Sequence, residues 1–232
     1  YKLEIRQAED MDEQTFLAEE IKDIRIKIGA ANLILQKTED LDELKVILSK
    51  GKQKHYNITQ KENKLNITYN KNKRGSREET DEIIVRIPEN KQFENMSVSI
   101  GAGKLTAENI TVMECLELEV GAGKASLCDI QAEDVSIECG VGKCDYEGRI
   151  EHDLTVECGV GQVKLALDAK ESDYNYKVSC ALGKVKMNDH AIGTFISEKT
   201  IQNPGAKGTV ALECGLGTIE IKTKNFTEEK SR

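Results

Sequence analysis

The chain has 232 residues, a formal net charge of −8, 38% hydrophobic and 32% charged residues, no Trp and only four Phe. The acidic balance excludes a non-specific nucleic-acid binder, which needs Lys and Arg in excess to neutralise phosphates. No run of about eighteen apolar residues is present, which excludes a membrane-spanning helix, and the scarcity of large apolar residues suits a thin, elongated body rather than a globule with a thick core.

Residues 1–20, "YKLEIRQAEDMDEQTFLAEE", are acidic and polar and read as an extended lead-in or stalk. The chain starts at Tyr1 rather than Met, so a leader or anchor is expected to have preceded it. From Ile21 a single body is expected to run to residue 225. Its first part, 21–97, opens on alternating Ile24, Ile26 and Ile28. It continues through the irregular strands "LKVILS", "HYNITQ" and "LNITYN", crosses the charged loop "NKNKRGSREETDE" and resumes at "IIVRIP". Regular units fill 98–168. Longer final units, with the turn "NPGAKG", fill 169–225, and 226–232 is a charged tail. No segment carries a helical period.

A glycine phrase recurs along this body. The copies are "IKIGAANLIL" from Ile26, "VSIGAGKLTA" from Val98, "LEVGAGKASL" from Leu118 and "IECGVGKCDY" from Ile137. "VECGVGQVKL" follows from Val156, "VSCALGKVKM" from Val178 and "LECGLGTIEI" from Leu212. Gly101 to Gly121 is twenty residues and the next two steps are nineteen; the step to Ala181 is twenty-two and the last, to Gly215, thirty-four. A fixed period near twenty is the signature of a solenoid.

Within each copy apolar residues alternate, as in Val98, Ile100 and Ala102, and then Leu105 and Ala107 after one three-residue step. Period two predicts a strand with one buried face. The phase break beside the second glycine predicts a corner, where glycine tolerates positive φ and close backbone approach. The same alternation assigns Ala122, Val141 and Val160 to the inside. Each copy is therefore two short strands and a corner, one coil of an all-β, single-stranded solenoid built from coils of 19–20 residues behind an irregular N-terminal β region.

The position before the first glycine reads Ile28, Ile100, Val120, Cys139, Cys158, Cys180 and Cys214. Stacked coils place these residues about 4.8 Å apart, so the site asks for a small apolar side chain, which free cysteine satisfies. A metal or disulfide reading competes with this core ladder. Against it, a parallel stack lacks the tetrahedral convergence of zinc and no CxxC pair occurs. Cys115 and Cys128 fall at outward or corner positions and are the candidate reactive thiols.

The chemistry of other classes is missing. A phosphate loop needs GxxxxGK[ST], and a dinucleotide fingerprint needs GxGxxG opening a helix, whereas GxG here lies between strands. His55, His152 and His190 are unrelated in repeat phase, and no GxSxG elbow is present. No catalytic, cofactor-binding or metal residue is assigned. What remains is charge in register. Lys104, Lys124, Lys143 and Lys184 follow the glycine pair, and Glu119, Glu138, Glu157 and Glu213 precede the Cys/Val ladder. These columns are either solvated stripes or an electrostatic docking face for a charged envelope polymer or a cationic peptide.

The phrases "IGAGKLTAENI", "VGAGKASLCDI" and "CGVGKCDYEG", preceded by "DEIIVRIPEN", resemble the bacterial toastrack domains, a family of candidate adhesins, over roughly Ile21–Lys222. The resemblance implies a right-handed β-helix-like fold and a place in the bacterial envelope, often behind a membrane anchor. In some members it implies a link to envelope stress. The family has no established catalytic residues to carry over. Seven cysteines are unusual for an extracytoplasmic member and leave the cytoplasm as the alternative location.

The expected function is a non-enzymatic envelope or surface protein, adhesin-like or tied to envelope stress, that binds through the flat faces of its solenoid. The expected partner is an envelope polymer, a peptide or a protein, not nucleic acid, with membrane contact only through an anchor outside this sequence and with no cofactor. Two alternatives come from other classes. One is a β-helical carbohydrate-active enzyme, which needs paired acids in a groove with sugar-stacking rings. The other is a structural element that polymerises through uncapped coil edges.

Overall fold

The computed structural model describes residues 11–39, 42–69 and 81–224. Their strands, numbered in chain order, begin with β1 (Met11–Leu17), β2 (Asp23–Ile28), β3 (Ala31–Thr38), β4 (Glu43–Ser49), β5 (Tyr56–Lys61) and β6 (Lys64–Tyr69). The middle of the chain forms β7 (Asp81–Pro88), β8 (Phe93–Ile100), β9 (Lys104–Val120), β10 (Lys124–Cys139), β11 (Lys143–Ile150), β12 (Leu154–Cys158) and β13 (Gln162–Leu167). The last group is β14 (Tyr174–Cys180), β15 (Lys184–Met187), β16 (His190–Thr194), β17 (Ser197–Ile201), β18 (Gly208–Cys214) and β19 (Thr218–Thr223). The helices among the described residues are three single 3-10 turns.

Every glycine phrase is a corner between two strands that belong to two different stacks. The first stack, face A, runs β5–β6–β2–β8, then the second halves of β9 and β10, then β12–β18–β14–β17. The second, face B, runs β1–β4–β7–β3, then the first halves of β9 and β10, then β11–β13–β19–β15–β16. Pairing between coils is parallel and in register, which is what a solenoid requires. The inward residues of both faces meet in one narrow core. Ile100, Val120, Cys139 and Leu165 are at most 2% exposed there.

The corner glycines are needed for contact, not for positive φ. Among the described glycines only Gly51, Gly148 and Gly205 have positive φ, and none of them is in a repeated phrase. A Cβ on Gly123 would instead lie 2.4 Å from the carbonyl oxygen of Gly103, and one on Gly142 2.3 Å from that of Gly123. The first glycine is less crowded: Gly140 would meet Gly121 O at 3.0 Å. One copy accordingly has Ala181 at that place.

Three features correct the expectations from sequence. Coil order is not chain order: the ladder in space is Cys139–Cys158–Cys214–Cys180. The chain lays down β14 and β15 one slot ahead, covers them with antiparallel β17 and β16, and returns to fill the gap with β18 and β19. Strands inserted this way pair on both edges, which leaves no backbone groups orphaned in the middle of the sheet.

Second, the residue between the two corner glycines points outward. Ala102 and Ala122 are exposed, as are Val141 (67%) and Val160 (56%). The chain turns at this residue, so alternation does not carry through it. Third, the opposite corner of each regular coil is made without glycine in two places. Asn109 (φ 58) and Asp129 (φ 54) adopt the left-handed conformation that Asn and Asp tolerate best. A register shift between Ala132 and Asp134 against β9 adds the extra residue that separates a twenty-residue step from a nineteen-residue one.

Both ends of the stack are covered by antiparallel strands: β4 and β5 on one end, β16 and β17 on the other. Of the acidic stretch 1–20, residues 11–17 form β1 and pair with β4, so that part belongs to the sheet rather than to a lead-in. Residues 1–10, most of the charged loop 70–82 and the tail 226–232 lie outside the described residues.

Candidate functional site

Parallel in-register pairing turns each repeated position into a line on the surface. On face A, Glu119 stands opposite Glu138, Glu138 opposite Glu157, and Glu157 opposite Glu213, so the four predicted glutamates form one unbroken ladder. All four are exposed, because they alternate with the buried Leu118/Val120, Ile137/Cys139, Val156/Cys158 and Leu212/Cys214 pairs. Ser99 ends the ladder on one side, donating its hydroxyl to Glu119 Oε2 at 2.7 Å. Ser179 and then Glu198 follow on the other. At the spacing of stacked strands each adjacent carboxylate pair repels by up to about 1 kcal/mol in a water-like dielectric.

The lysines behave differently. Lys104, Lys124 and Lys143 are consecutive on face B, but Lys184 is separated from Lys143 by Gln162 and Thr218. Two residues further along the strands the charges alternate: Asp145, Lys164, Glu220 and Lys186 succeed one another in register. Lys186 Nζ lies 3.3 Å from Glu220 Oε1, and Lys124 Nζ lies 3.9 Å from Asp145 Oδ2. Face B thus neutralises much of its own charge. On face A no ion pair reaches the four ladder glutamates among the described residues.

Small side chains open a hollow beside the ladder. Ala211 lies in register between Thr155 and Lys177, and Ser179 between Glu213 and Glu198. The depression holds about 290 Å³ and is rimmed by Glu157, Glu213, Glu198, Lys177 and Lys199. Sequence periodicity cannot find this feature, since it depends on β18 lying between β12 and β14.

The thiols fall into two sets. Cys139, Cys144, Cys158, Cys180 and Cys214 are buried, Cys128 is exposed and Cys115 half-buried, and all seven are free. Cys139 Sγ contacts Gln162 O, Cys158 Sγ contacts Thr218 O and Cys214 Sγ contacts Lys184 O, each at 3.9 Å, so these three ladder thiols point across the corner to a neighbouring coil. Burial pushes the Cys144 thiol up to about 12 and that of Cys214 up to about 11. Cys158 is raised by its hydrogen bond with Cys139 and then by burial. Burial also raises Cys115, helped by Glu117, and Cys128, helped by Glu147 and Glu108. The two accessible thiols are therefore poor thiolates at neutral pH, the reverse of a reactive cysteine.

No group of three or more His, Cys, Asp and Glu converges as a metal site among the described residues. His55 and His152 each meet one acid, Asp81 and Glu133, at 3.6 and 2.9 Å, on coils far apart in the stack. No helix among the described residues is long and apolar enough to cross a membrane.

A stacked, cornered β-solenoid with one unneutralised acidic edge column defines a repeat protein whose surface is written by coil register. The chain belongs to the toastrack family DUF4097, whose model matches residues 21–166. It is similar in fold to a candidate cell adhesion protein from Clostridium sporogenes, with 19% identity, TM-score 0.47, 92% of this chain and 100% of that one covered. A candidate adhesin from Bacteroides fragilis shares 11% identity at TM-score 0.43, covering 92% and 98%. A candidate lipid-binding protein from Parabacteroides distasonis shares 11% at TM-score 0.41, covering 94% and 98%. No curated protein matches the sequence.

Proposed function

We propose that the protein is a non-enzymatic binding module of the bacterial envelope, acting on the extracytoplasmic side, and that face A is its docking surface. The observation that carries the reading is the ladder Glu119–Glu138–Glu157–Glu213, four exposed carboxylates in consecutive register without a basic partner among the described residues. A cationic segment laid along the stack would relieve the repulsion between them and gain several charge-assisted contacts at once. The hollow over Ala211 and Ser179 gives room for one side chain of such a segment. Lys104, Lys124, Lys143 and Lys184 lie on the other side of the corner and would repel the same partner, which confines it to face A. A peptide with regularly spaced Lys or Arg is thus the favoured partner over an anionic envelope polymer.

End-to-end polymerisation is the weaker reading, because antiparallel β16 and β17 cover the last coil and β17 carries Glu198 and Lys199 on its edge. The test is fluorescence anisotropy with a labelled oligo-lysine peptide at low and high salt. Binding that fades with salt and weakens about tenfold in Glu157→Gln/Glu213→Gln supports the ladder. Equal binding by that variant, or none by the native chain at low salt, refutes it.

A further inference from the structure

The residues between the corner glycines form a line of their own. Backbone hydrogen bonds run from Val141 N to Gly121 O, Val160 N to Gly140 O, Leu216 N to Gly159 O and Leu182 N to Gly215 O, at 2.7–2.9 Å. Ile196 N then reaches Ala181 O at 2.5 Å. The side chains grow along this line, from Ala102 and Ala122 through Val141 and Val160 to Leu216, Leu182 and finally Phe195 and Ile196. The last six are 54–79% exposed. Isolated exposed apolar residues need no explanation, but a contiguous row does. Phe195 (φ 48) and Ile196 (φ 50) also hold the left-handed conformation, which is costly for bulky and β-branched residues and is retained where something depends on it.

We infer that this ridge is the contact surface for a second copy of the chain, related by a two-fold axis parallel to the solenoid axis. The argument for that occupant is charge. The ridge divides the glutamate column of face A from the lysine column of face B. A parallel two-fold turns face A of one copy toward face B of the other at equal height. It sets Glu119 beside the second copy's Lys124 and Glu138 beside its Lys143, while each ridge residue meets itself. A two-fold perpendicular to the axis would bring glutamate column against glutamate column. An anionic lipid surface is disfavoured because, along the bulky part of the ridge, Glu138, Glu157, Glu213 and Glu198 outnumber Lys143 and Lys184, so the net charge beside it repels anionic headgroups. Six side chains along one edge fall short of the roughly 800 Å² per partner of a standard interface, so the dimer is weak and sensitive to concentration. Glu157 and Glu213 would face the uncharged Gln162 and Thr218 of the second copy in it.

The test is sedimentation velocity of the full chain over the micromolar range. A monomer–dimer equilibrium is expected. Leu216→Ser/Leu182→Ser should weaken it about tenfold or more with an unchanged melting temperature, because these side chains lie outside the core. Glu138→Lys and Lys143→Glu should each weaken it, and the double exchange should restore it. A native chain that stays monomeric throughout overturns the proposal, as does a dimer indifferent to the serine variant. A dimer strengthened by Glu138→Lys alone overturns the parallel axis. Flotation with phosphatidylcholine vesicles that is lost in the serine variant would assign the ridge to lipid instead. Glu157→Gln/Glu213→Gln leaves this equilibrium in place, so failure here is separable from failure of peptide docking.

Discussion

A Cβ placed on Gly161 would lie 2.9 Å from the sulfur of Cys139 and 2.4 Å from the carbonyl oxygen of Gly142. The same relation recurs between Gly217 and Cys158 Sγ, at 2.7 Å, and between Gly183 and Cys214 Sγ, at 2.6 Å. The cysteine and the second glycine are therefore one packing unit shared by consecutive coils. The ladder stays small because the next corner passes over it. Gly161→Ala is expected to cost about 1–3 kcal/mol through overpacking against backbone that cannot retreat. Gly159→Ala, whose Cβ would meet Gly140 O at 2.9 Å, should cost less. Thermal unfolding of the two variants side by side checks the order, and equal melting temperatures would refute the shared-corner account.

If the ladder is dry, its thiols are shielded. Alkylation of native protein followed by mass spectrometry should label Cys128 first and Cys115 more slowly. Cys139, Cys144, Cys158, Cys180 and Cys214 should react only after denaturation, since all five are buried. Ready labelling of Cys158 in the native state would mean the coils do not stack as described. The interior assignment has an independent check in Val120→Asp. A buried, unpaired carboxylate there should cost several kcal/mol, on the order of 3–5.

The inward strand positions, the cysteine ladder and the glutamate column were legible in the sequence because a stack of equal coils copies one local pattern along its length, whereas the lysine column holds only from Lys104 to Lys143 and is interrupted by Gln162 and Thr218 before Lys184. Three things were not. Alternation carried Val141 and Val160 to the inside, since apolar character alone cannot show that the backbone turns between two glycines. The opposite corner at Asn109 and Asp129 was hidden, because the only signal is a pair of residues tolerant of positive φ twenty positions apart. Coil order was hidden too, because β18 fits against β12 or β14 by the same repeated pattern. The thirty-four-residue step before Gly215, long enough for two capping strands, was its only trace.

Alkaline pH should act on the core through Cys144. Its ordinary thiol value is 9.0 and burial raises it to about 12, so the unfolded chain loses this proton first. The folded state then binds more protons above pH 9, and stability that is complete below that value declines as pH rises toward 12. Near pH 10.5 the loss is about 2 kcal/mol. Cys144→Val removes the titrating group and fits a column that already holds Val163. The melting temperature of the variant should fall less than that of the native chain between pH 8 and pH 10.5. Parallel curves would show that Cys144 does not couple to folding.

The corner at Phe195 and Ile196 offers the reverse experiment, a substitution expected to stabilise. Both residues are left-handed, at a cost of about 1–2 kcal/mol each for ordinary side chains. Their side chains are 72% and 79% exposed, so little packing offsets that cost in the monomer. Asn and Gly adopt this conformation readily. Phe195→Asn/Ile196→Gly should therefore raise the unfolding free energy of the isolated chain by about 1–3 kcal/mol, because relieved strain outweighs the added freedom of glycine in the unfolded state. Chemical denaturation at low protein concentration measures it without a contribution from dimerisation. A loss of stability would show that the two side chains hold the cap to the last coil, and that the strain serves the fold rather than the ridge.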